Sequence, residues 1–292
     1  MVQCCAGRRD GPVTRTVSGA PPMITLGYLS LADVGPLDII EAAGASGFRS
    51  VGLRLTSRRL SEPWRYGSIS VGSSRQALGR ALAASGTALS NVSTFHLWPE
   101  TTLEHLKPVV DASAELGAKT LIACVYRDLD ASLVEFLGHY AEAANSAGLR
   151  IAVETVSYSA CSTLRAALAL LRQVNSPVLG LMLDPLHLQR GASELGEVKG
   201  LSPAEVCIAQ LCDASAKAPA DVDAATEART MRRYPGEGEL PLREFLAAIP
   251  ASTEIELEVP ALEHRHLSAP DRAQLIRERC LAYLVASGYA VQ

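Results

Sequence analysis

Aromatic residues are scarce in this 292-residue chain, with four Phe, two Trp and eight Tyr making up 5% of it. So few rings leave no evident stacking platform for single-stranded nucleic acid. A formal net charge of −4 and a sequence pI of about 5.9 give no general attraction to phosphate backbones or anionic membranes. Residues 1–22 carry charge, Gly and Pro but lack the apolar stretch of about 7–15 residues that a secretory signal needs, and no membrane span follows. They read as a non-globular leader or a start remnant, with Met23 opening a single domain over 23–292. The seven cysteines are an odd number without CxxC spacing. Cys124, Cys207 and Cys212 sit in apolar runs, which implies reduced, structural thiols and a cytoplasmic protein. Cys4 and Cys5 fall in the leader and read as exposed, oxidation-prone thiols. No dinucleotide fingerprint follows the first apolar run, which disfavours a Rossmann domain.

What the chain does have is alternation. From Ile24 on, short apolar runs alternate with longer amphipathic ones, and 48% hydrophobic residues suffice for one large core. Eight runs read as strands: ITLGYLSL, FRSVGLRL, TALSNVSTF, AKTLIACVY, LRIAVETV, VLGLMLD, VCIAQLCD and TEIELEVP. Helical patterns between them stop at Gly47, Gly86, Gly117 and Gly148, or at Asn175 with Pro177 beyond. Apolar strands alternating with helices imply a parallel sheet covered by helices. Eight such units predict an α/β fold, a single (β/α)8 TIM barrel with its active site at the C-terminal face. A short helical turn is expected near SPAEV, and Asp213 to Gly238 reads as a long irregular loop of the kind that forms lids.

Four polar residues surface at equivalent strand ends: Glu154, Asp184, Gln210 and Glu258. Ionised groups breaking out of buried strands need a partner. Three carboxylates and an amide oxygen point to one shared divalent metal, Mn²⁺ or Mg²⁺ before Co²⁺, with Zn²⁺ less favoured. Glu256 shares a face with Glu258 by period two; Glu258 is preferred because it ends the strand. His187, three residues after Asp184, is a candidate for catalysis. Arg54 interrupts an apolar strand and is expected to bind a substrate anion, with Arg190, His96 and one of Arg229, Arg232 and Arg233, preferably Arg232, as further substrate contacts. His105, His139, His264 and His266 read as surface residues.

Glu in strand five, DPLHLQRG after strand six, QLCD in strand seven, PGEGELPL and EVP together resemble the xylose isomerase-like TIM-barrel family, the sugar phosphate isomerase/epimerase group, over nearly all of the chain from Ile24. The resemblance implies that Glu154, Asp184, Gln210 and Glu258 are metal ligands, with Gln where many members have His. It implies an isomerase or epimerase of carbohydrate metabolism acting on a small polyhydroxylated ketone or keto acid. There Glu154 or Glu258 removes the proton alpha to the carbonyl, giving a metal-stabilised enediolate, and His187 polarises the oxygen. A hydro-lyase (dehydratase) of the same family is the close alternative, and a non-catalytic sugar-binding barrel the second. Family members are commonly dimers or tetramers, so a homo-oligomer is expected. The chain departs from the family pattern in strand three, where Asn91 and Ser93 stand at places related sequences often fill with acids.

Overall fold

Eight parallel strands pair in chain order and the first closes on the last, in a computed structural model that describes residues 21–291. The chain runs β1 (Ile24–Leu26), α1 (Pro36–Ala45), β2 (Ser50–Arg54), α2 (Gly72–Ser85), β3 (Ala88–Ser93), α3 (Leu103–Glu115), β4 (Thr120–Cys124) and α4 (Ala131–Ser146). It continues through β5 (Arg150–Glu154), α5 (Leu164–Val174), β6 (Leu179–Leu183), α6 (Pro185–Arg190), α7 (Leu195–Lys199) and β7 (Val206–Leu211), then α8 (Ala224–Thr230), α9 (Leu242–Ala248), β8 (Glu254–Leu257) and α10 (Ala269–Ala286). The expected barrel is therefore the observed one. The expected leader, apart from Pro21 and Pro22, lies outside the described residues, and so do Cys4 and Cys5.

Outward strand residues such as Leu121, Val153, Leu181 and Leu257 are fully buried beneath the helices. Each such side chain contributes about 1.5–3 kcal/mol of apolar burial. The helix stops act where the sequence put them: Asn175 ends α5 with φ 50°, and the four helix-ending glycines take φ between 66° and 81°.

The lumen is divided lengthwise. Ile122, Ala152, Met182 and Ile208, one from each of β4 to β7, form an apolar cluster of their own. The opposite half is polar. β8 turns Glu254, Glu256 and then Glu258 inward by period two, and β1 and β3 answer with donors. Thr25 Oγ1 donates to Glu254 at 2.5 Å, Ser90 Oγ donates to the same oxygen, and Asn91 Nδ2 donates to Glu256 at 2.6 Å. Neighbours in a regular strand face opposite ways. Here the β2–β3 register slips between Val51 and Gly52, leaving Ser90 as the extra residue, so both Ser90 and Asn91 reach the lumen.

Two expectations about the loops are corrected. The SPAEV segment is a turn without helix, while helices form earlier at α6 and α7. The Asp184 side chain caps α6, and Pro185 occupies its first turn, where a missing N–H costs nothing. The Asp213–Gly238 segment is not structureless: Asp223 caps α8 within it. Its far end is fixed by Asp213, whose buried carboxylate accepts N–H bonds from Ala214, Gly236, Gly238 and Leu240 at 2.8–3.0 Å.

Candidate active site

The C-terminal mouth of the barrel holds a cavity whose lining includes Arg54, His96, Glu154, His187, Gln210, Arg232 and Glu258. Its floor is an ion-pair network. Arg232 Nη1 lies 2.6 Å from Asp184 Oδ2 and its Nη2 3.0 Å from Glu258 Oε2, with all three side chains at most 4% exposed. Arg232 Nε donates to the Ala228 carbonyl at 2.7 Å, so α8 aims the guanidinium inward. Asp184 Oδ1 accepts N–H bonds from Leu186 at 2.7 Å and His187 at 3.3 Å. Burial pushes the Asp184 carboxyl up, but the Arg232 charge and these bonds outweigh it and hold it below the usual range. Burial dominates at Glu258 instead. Its carboxyl is held well above the ordinary value despite Arg232, with Glu154, Glu256 and Asp184 adding repulsion.

Glu154, Asp184 and His187 present donor atoms within 4.8 Å of one another. The Ser157 backbone N–H reaches His187 Nδ1 at 3.4 Å, which leaves Nε2 facing Glu154 Oε1 at 4.0 Å. Burial lowers the His187 pKa, against the pull of Asp184, so the ring is neutral at pH 7. Gln210 adds a telling detail. Its Nε2 donates to Glu256 Oε1 at 3.0 Å, while its buried Oε1 has no partner. Glu256 thereby fixes which end of the amide is free, and the free end is an oxygen. An orphaned buried carbonyl beside carboxylates and a neutral imidazole is a donor set that fits a divalent cation. Glu154, Gln210 and Glu258 line the cavity and Asp184 lies in its floor, so the four expected ligands share one end of the barrel.

The opposite wall is built by β2, β3 and the loops after them. Arg54 Nη1 donates to the Thr94 carbonyl at 2.7 Å, and its guanidinium lies 5.0 Å from the Tyr28 ring centre. His96 stacks on Tyr126 at 4.9 Å and Tyr126 on Trp98 at 4.3 Å. Burial and the surrounding Arg54, Arg58, Arg229 and Arg59 charges hold His96 at about 2, so it is neutral. Arg58, Tyr28 and Tyr126 were not among the expected site residues. Arg58 lies in the polar TSRRL segment, which carries no periodicity to mark it as part of a cavity wall.

Arg190 stands apart from the cavity. Its Nη2 pairs with Glu227 at 2.6 Å, and it donates to the Ser215 and Ala216 carbonyls at 2.8 and 3.0 Å, tying α6 to the segment after β7. Asn91 and Ser93 also find their places. Asn91 serves Glu256, where an acid would add repulsion, and Ser93 lines the cavity.

The model of the xylose isomerase-like TIM barrel family matches residues 40–279. The chain belongs to that family. Among individual proteins it is similar to a 3-dehydroshikimate dehydratase of Pseudomonas putida, 28% identical over 156 residues, covering 51% of this chain and 24% of the relative. It thus spans about a quarter of that protein's length. An inosose isomerase of Bacillus licheniformis is 25% identical over 60% of this chain and 66% of its own. In three dimensions the IolI protein, in a crystal structure with a zinc atom, matches 92% of this chain and all of its own with a TM-score of 0.75 at 19% identity, a likeness of fold. Relatives of this chain thus include isomerases and dehydratases. Among the described residues no helix is long and apolar enough to cross a membrane.

Proposed function

We propose that the protein is a metal-dependent isomerase or epimerase of a small polyhydroxylated ketone or keto acid, working by proton abstraction alpha to the carbonyl. The observation that carries this reading is the unsatisfied Gln210 oxygen among Glu154, Asp184 and Glu258 at one end of the barrel. Glu154, Asp184, Gln210 and Glu258 would hold the ion, which supplies Lewis acidity toward adjacent carbonyl and hydroxyl oxygens. The all-oxygen set favours Mn²⁺ or Mg²⁺. Glu154 and Glu258 flank the substrate, one removing the proton and the other returning it. Neutral His187 donates from Nε2 to the substrate oxygen as charge develops there. The stacked His96–Tyr126–Trp98 wall bounds the site on the far side and restricts water.

Return of the proton to the neighbouring or inverted carbon gives isomerisation or epimerisation. Loss of a beta-hydroxyl as water gives dehydration instead. The second reading is favoured by the similarity to 3-dehydroshikimate dehydratase. Proton–deuterium exchange followed by NMR in D₂O, across ketoses, hydroxypyruvate, inososes and 3-dehydroshikimate, separates the outcomes. The expected result is metal-dependent incorporation of deuterium that disappears in Glu154→Gln and Glu258→Gln. A metal-loaded protein that exchanges none of these compounds refutes the proposal.

A further inference from the structure

Arg54 is the only arginine or lysine in the eight barrel strands apart from Arg150 at the opposite end. It is 8% exposed, yet no carboxylate among the described residues lies within ion-pairing distance of it. Its Nη1 is committed to the Thr94 carbonyl, its Nη2 has a marginal contact with His96 Nε2 at 3.5 Å, and its Nε has no partner. A buried guanidinium with no counter-charge is costly. A carbonyl oxygen and the Tyr28 ring offset only part of that cost.

The neighbourhood worsens the imbalance. Arg58 and Arg229 line the same cavity, both half-buried, and neither forms an ion pair among the described residues. Arg229, on α8, lies 6.0 Å from the centre of the Tyr158 ring, and its charge reaches His96 together with those of Arg54 and Arg58. The cavity is therefore two-sided. One side has carboxylates, of which Asp184 and Glu258 are paired with Arg232. On the other, Arg54, Arg58 and Arg229 form no ion pair among the described residues, and Arg58 is steadied by a hydrogen bond with Tyr28 and by the Glu62 charge. A bound dication would tilt the whole cavity further toward positive.

We propose that this second side is an anion subsite formed by Arg54, Arg58 and Arg229, and that the substrate is a hydroxyketone carrying a carboxylate. The inference rests on the proposed hydroxyketone chemistry for the remainder of the substrate. Nε of Arg54, which has no partner, and Nη2, held only by the 3.5 Å contact with His96, form the edge of a planar fork, which matches the two oxygens of a planar carboxylate. The carboxylate supplies the missing counter-charge and, held at that wall, directs the other end of the molecule toward Glu154 and His187.

Three small hydroxyketones test this with the rest of the molecule nearly constant: dihydroxyacetone is neutral, hydroxypyruvate carries a carboxylate and dihydroxyacetone phosphate carries a phosphate. Calorimetric binding to Mg²⁺-loaded wild-type protein is expected to favour hydroxypyruvate over dihydroxyacetone by about tenfold or more, the order of one charge-assisted contact. The preference should weaken as salt is added and fall to about twofold or less in Arg54→Gln, again on the scale of that lost contact. Arg229→Gln, at a half-buried position outside the barrel wall, guards against loss of fold and should reduce the preference in part. Equal binding of all three compounds, no binding of any, or a preference that survives both substitutions overturns the subsite. Tightest binding of the phosphate overturns the carboxylate assignment. Anion preference without deuterium exchange on any compound would uphold the subsite while refuting the isomerase reading. Exchange on neutral ketoses without anion preference would do the reverse.

Discussion

Replacing Arg232 with Met keeps an apolar stem of similar length and removes the one cation between Asp184 and Glu258. Both contacts are close, 2.6 and 3.0 Å, and both acids are at most 4% exposed, so water cannot take over the missing charge. Breaking a buried pair by removing one partner costs about 3–5 kcal/mol. For a chain of this size each kcal/mol lowers the melting temperature by about 2–4 °C, so metal-free Arg232→Met should melt about 6–20 °C below metal-free wild type. A divalent ion offers the same two carboxylates a different cation. Added Mg²⁺ or Mn²⁺ should therefore raise the melting temperature of Arg232→Met by more than it raises wild type, where the guanidinium competes for those oxygens. Differential scanning calorimetry of both chelator-treated proteins, without metal and with each ion, gives all six melting temperatures. A metal-free variant melting with wild type would show that the network contributes nothing, and equal metal-induced rises in both would show that Arg232 and the ion do not share ligands.

Gly52→Ala should be destabilised by about 1–3 kcal/mol in urea titration, as overpacking of a filled lumen requires. Its Cβ would meet Glu256 Oε2 at 2.6 Å and Asn91 Oδ1 at 2.8 Å, and an unchanged midpoint would mean the lumen can give way there. Glu256 supplies a pH test. Burial lifts its carboxyl to about 7 against the bonds from Gln210 and Asn91. A folded-state value raised above the unfolded one (4.5) contributes stability that is complete below about 4.5 and is lost as pH rises through about 7. Metal-free wild type should thus lose stability between about pH 5 and 8 relative to Glu256→Gln, and parallel stability–pH curves for the two proteins would contradict this.

The barrel was legible because parallel strands covered on both sides read as nearly unbroken apolar runs, and because Gly and Asn at the helix ends answer a backbone demand that no other residue meets as easily. The lumen carboxylates stood out for the same reason: Glu154, Asp184 and Glu258 are exceptions within such runs. Less legible was anything that depends on two segments meeting. The bulge at Ser90 leaves no local signal, yet it turns Ser90 and Asn91 toward the same strand. Arg58 sits in a polar loop that reads as solvent, and Arg190, adjacent in sequence to the site, is turned away by Glu227. The helix at α6 was hidden in the very residues that carry the site motif, since Asp184 both caps it and faces Arg232.

The lengthwise division of the lumen has a bearing on how this barrel could be recombined. The donors for the β8 acids come from β1 and β3, while β4 to β7 contribute an apolar filling that needs no partner from across the barrel beyond Gln210. The heritable module is therefore β8 together with β1 to β3, a unit whose members stand last and first in the barrel's strand order. A chimaera that imports the N-terminal strands alone would bury orphaned acids along its axis. A circular permutant opened between β3 and β4 would carry the matched set as one contiguous block.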